Sequence, residues 1–252
     1  MAEVFDVELT GCRPEPLASY LKALGVLRLV AEQKDKNAAG YWRGDHFVLR
    51  SSLDATALVA FFENEWCPTP VVAPWNGGSG FYPNDNDTAL AILQSRPDPR
   101  STTFKDAIDI AAAVIKSRGW QERPGDEDKA WLLAEMRARL PDEALAWLDA
   151  AVVLGDEKPL FPPLLGTGGN DGRLDFSNNY MQRVVACLGD EARAVSSALF
   201  ESSCGSKFQG AMGMYAPASS IRVNPWEFVL LIDGALLFAG AVTRRLQVQR
   251  AG

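Results

Sequence analysis

The sequence predicts a helix-rich α+β fold, with a small sheet near the N-terminus and long glycine-rich loops. Three observations carry this. Phe5, Val7 and Leu9 alternate with Asp6, Glu8 and Thr10, the period of a half-buried strand. Leu17, Tyr20, Leu21, Leu24, Leu27 and Ala31 then recur at helical spacing, and later segments repeat that spacing several times. The regular strand–helix alternation of a doubly wound sheet is missing, which leaves a mixed α+β arrangement.

Taken in order, the first strand breaks at Gly11–Pro16 and a helix follows from about Pro16 to Gln33. Gly25 inside that helix costs about 1 kcal/mol relative to Ala and therefore predicts close packing there. Tyr41–Arg43 and His46–Ser51 flank Gly44-Asp45, a two-residue hairpin signal. Asp54 is placed to cap a short helix through Phe62. Thr88–Gln94 reads as another short helix. Arg96-Pro97-Asp98-Pro99-Arg100 reads as a connector, dividing the chain into subdomains 1–95 (α+β) and 101–252 (mainly helical).

Beyond it, Phe104, Ile108, Ala111 and Ile115 share one helix face. Asp126–Leu140 and Asp142–Leu154 follow as two helices joined at Pro141. Leu174–Phe176 reads as a short strand, with Ser177 as cap for a helix over Asn178–Leu188 and another from Asp190 to Glu201. The apolar run opening at Asn224-Pro225-Trp226 contains Glu227 and Asp233, and only Gly234–Val242 runs without a charge. A spanning helix needs about 20 predominantly apolar residues, so this segment is expected to be a buried core helix.

Composition narrows the function classes. The 252 residues are 47% apolar and 23% charged, with a formal net charge of −7, so the chain does not grip nucleic acid by global basicity. Cys12, Cys67, Cys187 and Cys204 are scattered and form no CxxC pair, which points to a reducing cytoplasm and away from zinc ribbons. The N-terminus carries no signal or transit pattern. His46 is the single histidine, which excludes sites built on two.

Two glycine-rich segments stand out: Pro74–Pro83, PWNGGSGFYP, and Leu160–Arg183. Glycine lets a backbone adopt φ > 0 and present its N–H groups closely, a feature suited to a polyanion backbone. Gly166–Arg173 lacks the GK[ST] of a Walker loop and does not open a helix as GxGxxG does. Asp85 with Asp87, Asp126 with Glu127 and Asp128, and Asp171 with Asp175 are candidate metal or acid–base carboxylates, though such residues in loops and first turns are more often caps and solvated charges. Trp75, Phe81 and Tyr82 are candidate base-stacking groups. Asn76, Ser79, Asn178 and Asn179 are candidate polar contacts, and Arg173, Arg183 and Lys207 supply charge. Read structurally, the same rings anchor a loop on the core and the Asn pair caps a helix.

Four segments together, Leu9–Leu29, Ala73–Pro83, Pro163–Arg183 and Asn224–Ala241, resemble one family: the large subunit of the type I-G (formerly I-U) CRISPR Cascade effector complex. Members of that family are considerably longer, so the resemblance implies that residues 1–252 correspond to its N-terminal portion. It implies a cytoplasmic, non-catalytic subunit of an RNA-guided antiviral ribonucleoprotein, with no cofactor and no membrane. Its partners would be crRNA, target DNA, the backbone subunits and the recruited helicase–nuclease. Its tasks would be inspection of the protospacer-adjacent motif and steadying of the R-loop, with base pairing reading the sequence and protein reading motif and shape. The expected contact residues are Trp75, Asn76, Gly77, Gly78, Ser79, Phe81, Tyr82, Thr167, Gly168, Gly169, Asn170, Arg173, Asn178, Asn179, Arg183, Lys207 and Gln209. Two other readings stand beside this one. One is a metal-dependent nuclease or phosphoesterase built on Asp85, Asp87, Asp171 and Asp175. The other is a purely structural scaffold, with both glycine-rich segments packing subunits.

Overall fold

The N-terminal alternation becomes strand β1 (Phe5–Leu9), which pairs antiparallel with β3 (His46–Ser51). The latter is joined by a hairpin to β2 (Ala39–Arg43), so the sheet order is β1-β3-β2. The structure, a computed structural model, describes residues 3–154, 159–160, 178–189, 195–201 and 224–250. Period two sorts β1 into two faces, with Val7 and Leu9 buried and Asp6 and Glu8 pointing outward, whereas β3 buries the consecutive Phe47, Val48 and Leu49. On the outer face the Arg50 guanidinium donates twice to Asp6, at 2.7 and 3.0 Å, and the Tyr41 hydroxyl donates at 2.9 Å. Those bonds, the Arg50 one foremost, hold the Asp6 carboxyl below its ordinary range.

The chain divides into two compact units. The first comprises residues 1–67 with 186–235, and the second 68–185 with 236–252. In the first, the sheet is joined by α1 (Leu17–Gln33), α2 (Ala55–Asn64), the six-residue α8 (Val195–Phe200) and the start of α9 (Pro225–Arg250). Asp54 caps α2 as its position predicts, accepting from Ala57 N–H at 2.8 Å.

Gly25 earns its place in α1 by contact with α9. A Cβ there would stand 1.9 Å from the Leu230 carbonyl oxygen, and one on Gly234 would stand 1.8 Å from that of Leu21. The two helices thus meet backbone to backbone. Ion pairs lie on either side of the crossing: Arg28 donates to Asp233 at 2.7 Å, and the fully buried Lys22 lies 3.5 Å from Glu227. These partners explain how an apolar run can carry two acids into a core. Among the described residues, no helix is long and apolar enough to cross a membrane.

Lys22 also donates to the Ala198 carbonyl at 2.7 Å, Gly11 N–H to Leu199 O at 2.9 Å, and the Thr10 hydroxyl to Phe200 O. The last carbonyls of α8, which a helix cannot satisfy internally, are therefore capped by residues almost two hundred positions away. Trp226 fills the remaining space against Phe62 and Trp66, at ring separations of 5.6 and 4.7 Å.

The second unit holds α3 (Thr88–Ser95), α4 (Thr102–Arg118), α5 (Asp126–Arg139), α6 (Asp142–Ala151) and the first part of α7 (Asn178–Leu188). Phe104, Ile108, Ala111 and Ile115 all face its core, as their spacing predicts. One helix is shorter than expected. Instead of running to Leu154, α6 stops at Ala151, and Val153–Leu154 pair antiparallel with Pro159–Leu160 as β4 and β5. The consecutive β-branched Val152 and Val153 favour extended backbone, and Arg137 takes the Val152 carbonyl at 2.7 Å. The 96–100 connector lies inside this unit. Its Asp98 accepts from Arg100 N–H at 3.0 Å and from the Arg100 side chain at 2.7 Å, and the Arg100 bonds hold its carboxyl at about 2.

Candidate functional site: the glycine-rich loop and its groove

The Pro74–Pro83 segment is built from the inside outward. The Trp75 ring is buried and stacks on Trp147 at 5.9 Å with an interplanar angle of 18°. Tyr82 is buried too, and its hydroxyl donates to the Pro74 carbonyl at 2.8 Å, closing the segment on itself. Burial foremost, and the nearby Asp85 carboxylate, push this phenol well above its ordinary range, so it remains a neutral donor. Asn76 and Ser79 are buried as well. Base stacking by Trp75 and Tyr82, expected from the sequence, is not what this geometry offers: both rings are spent on packing. Gly77, Gly78 and Phe81 are the half-buried members of the segment, and Pro83, Asn84 and Asn86–Thr88 are exposed.

The glycines still form an anion cradle. Gly78 and Gly80 adopt φ of +73° and +90°, which turns their N–H groups to one side. That cradle is filled from within the chain. Gly78 N–H donates to Asp85 Oδ1 at 3.2 Å. Ser79 Oγ and Gly80 N–H donate to Asp85 Oδ2 at 3.1 and 2.9 Å. Asp85, singled out as a candidate metal ligand, thus spends both oxygens on this loop. Among the described residues, no three His, Cys, Asp or Glu side chains stand together where they could hold a metal ion.

Beside the loop runs an open groove of about 470 Å³, lined by Asn84, the Gly119–Gly125 turn and Asp128. The turn arises because Gly119, in the left-handed conformation at φ +65°, ends α4, and α5 begins only at Asp126. Trp120 is half-buried and meets Trp131 edge-on at 5.7 Å, while the Arg118 guanidinium lies 4.0 Å above the Trp131 ring. Arg123 is exposed, and its Cδ lies 3.8 Å from where a Gly77 Cβ would be. No carboxylate among the described residues pairs with it. This Trp–Arg cluster was not singled out in the sequence. Its signal is the run Arg118-Gly119-Trp120-Gln121-Glu122-Arg123, two arginines and a tryptophan around a helix-ending glycine.

Of the remaining expected site residues, Asn178 and Asn179 open α7, and Arg183 is exposed on it. The neighbouring Tyr180 is fully buried, stacked on Phe104 at 6.5 Å. Thr167, Gly168, Gly169, Asn170, Arg173, Lys207 and Gln209 lie outside the described residues, as do Asp171 and Asp175. His46 stands on the outer side of the sheet, its Nδ1 3.0 Å from Asp45 and 3.5 Å from Glu8. No protein-family model matches the chain, and no curated protein is significantly similar to it.

Proposed function

We propose that the chain acts by binding rather than by catalysis, as part of the large subunit of an RNA-guided surveillance complex of the type I-G Cascade kind. Its work there would be to support recognition of the protospacer-adjacent motif and target DNA, hold the R-loop and help recruit the helicase–nuclease. What supports this reading is the set of four segments that resemble that family, together with one structural observation. Two of the segments, Leu9–Leu29 and Asn224–Ala241, are a single physical piece: they supply Gly25 and Gly234, Lys22 and Glu227, and Arg28 and Asp233 to one helix crossing. A resemblance at those two places is thus a resemblance in one packed interface rather than in two separate short strings. The groups suited to meeting nucleic acid or a neighbouring subunit are the exposed arginines: Arg118 and Arg123 in and beside the turn that carries the half-buried Trp120, and, separately, Arg183 on α7.

The test is co-expression with the other subunits of such a complex and a crRNA. The expected outcome is co-purification of the chain, with target-duplex binding that falls when Arg118, Arg123 and Arg183 are replaced by Gln. Phosphate-contacting arginines should weaken binding uniformly across sequences and lower its salt slope. Failure to co-purify with any subunit or with crRNA would overturn the proposal.

A second reading, a scaffold subunit that touches protein only, draws on the burial of Trp75, Asn76, Ser79 and Tyr82. Crosslinking in the assembled complex separates the two: crosslinks from the 118–123 turn to nucleic acid favour the first, and crosslinks to protein alone favour the scaffold.

A further inference from the structure

The Gly78–Gly80 loop has the geometry of an oxyanion site, and its occupant is part of the chain. Three donors converge on Asp85: the N–H groups of Gly78 and Gly80 at 3.2 and 2.9 Å and the hydroxyl of the fully buried Ser79 at 3.1 Å. Two donors share Oδ2 and one takes Oδ1, a pattern that two oxygens of a phosphate group can satisfy equally well. A second, independent feature also points to an anion. The exposed Arg123 runs past Gly77 with no carboxylate among the described residues to neutralise it. Asp85 itself comes from the segment Pro83–Thr88, whose other five residues are all exposed. Within that segment Asp85 N–H donates to Tyr82 O at 2.9 Å, and Thr88 N–H donates to the Asn86 side chain at 3.1 Å.

We propose that this loop is an oxyanion-binding site for a phosphate group, held closed by the carboxylate of Asp85, which competes with the external anion. A partner that draws the 83–88 segment outward uncovers two backbone N–H donors and a hydroxyl, with Arg123 alongside. The loop then offers a phosphate charge-assisted hydrogen bonds without any movement of the buried Trp75 and Tyr82 anchors. This chemistry does not depend on the complex proposed above. A chain that joined no complex would still expose the cradle when Asp85 is removed.

The experiment removes the internal occupant. Asp85→Ala and Asp85→Ser are prepared in the full chain, and thermal unfolding is followed as orthophosphate is added, with sodium chloride at matched ionic strength as control. Wild type should respond to phosphate no more than to chloride. Both variants should melt lower than wild type and then show a saturable, phosphate-specific rise of at least about 3 °C. Adding Ser79→Ala or Arg123→Gln to Asp85→Ala should reduce that rise. Should Asp85→Ala not fold in buffer, recovery of its folded circular-dichroism signal on adding phosphate is the same readout. A second arm replaces orthophosphate with a short oligo-dT, separating a small-anion site from one that accepts a phosphodiester backbone. A rise with either probe supports the cradle. The absence of a rise with both, or an equal rise in wild type, overturns it.

Discussion

The α1–α9 crossing and the Gly77–Gly80 loop both depend on glycine, for opposite reasons. At the crossing, Gly25 and Gly234 have ordinary helical neighbours and are needed because another helix's backbone occupies the space a side chain would take. In the loop, the nearest atoms to a Cβ on Gly80 are at ordinary contact distances of 3.4–3.5 Å. What matters there is the positive φ that aims an N–H group at Asp85. One region uses the missing Cβ as volume, the other as conformational freedom. The first is intolerant of any side chain, while the second should respond mainly to what fills its cradle.

The largest expected effect tests that intolerance. Gly234→Ala or Gly25→Ala drives a methyl group into a backbone carbonyl that cannot rotate away, and should cost more than about 3 kcal/mol in urea unfolding, enough to abolish folding of a marginal domain. A loss below about 1 kcal/mol would mean that the helices can slide apart and that the crossing is looser than described.

Next comes the buried charge beside the crossing. Lys22→Met leaves Glu227 without its ammonium partner and should cost about 3–5 kcal/mol, whereas adding Glu227→Gln should recover much of that loss. A double-mutant cycle with no coupling would assign the cost to the Ala198 carbonyl instead.

A smaller effect is read from pH. In the 96–100 connector, the Asp98 carboxyl is held at about 2, below its ordinary value, by Arg100. A depressed acid stabilises the fold above the unfolded value near 3.8, and that stabilisation is lost as pH falls through about 2. Asp98→Asn should therefore remove about 2 kcal/mol at neutral pH and flatten the acid limb of the stability profile between roughly pH 4 and 2.

The smallest effect sharpens the conformational side of the comparison. Gly119 has φ of +65° and open space around it, so Gly119→Ala carries only the left-handed backbone penalty of about 1 kcal/mol. It should leave the Trp120–Trp131 contact in place, as read by tryptophan fluorescence.

These contrasts explain what the sequence could and could not reveal. Period-two and helical spacing marked β1, α1 and the α4 face because such elements bury one side each, and Asp54 marked the start of α2 because a cap is a local bond. Gly25 could be recognised as a close-packing position, but its partner could not: Leu230 lies more than two hundred residues on, and nothing local announces the pairing. The cradle was visible as glycines, yet its occupant was not, since Asp85 among Asn84, Asn86 and Asp87 looks like one more polar loop residue. Trp75 and Tyr82 illustrate the same limit in reverse. Aromatic rings beside glycines suit stacking on a ligand or anchoring on a core, and only the position of Trp147 decides.

The trans-capping of α8 has a consequence for how the chain is made. Thr10, Gly11 and Lys22 are made well before their partners: the carbonyls they cap and the α9 segment that crosses α1 follow only after at least about 170 further residues. At ordinary elongation rates of about 5–20 residues per second, the N-terminal sheet and α1 wait roughly ten to thirty seconds with their inner faces uncovered. Throughout that interval residues 68–185 emerge between the two halves of the first unit. Synthesis thus imposes an order on assembly: residues 1–67 complete their unit only after residues 186–235 have been made.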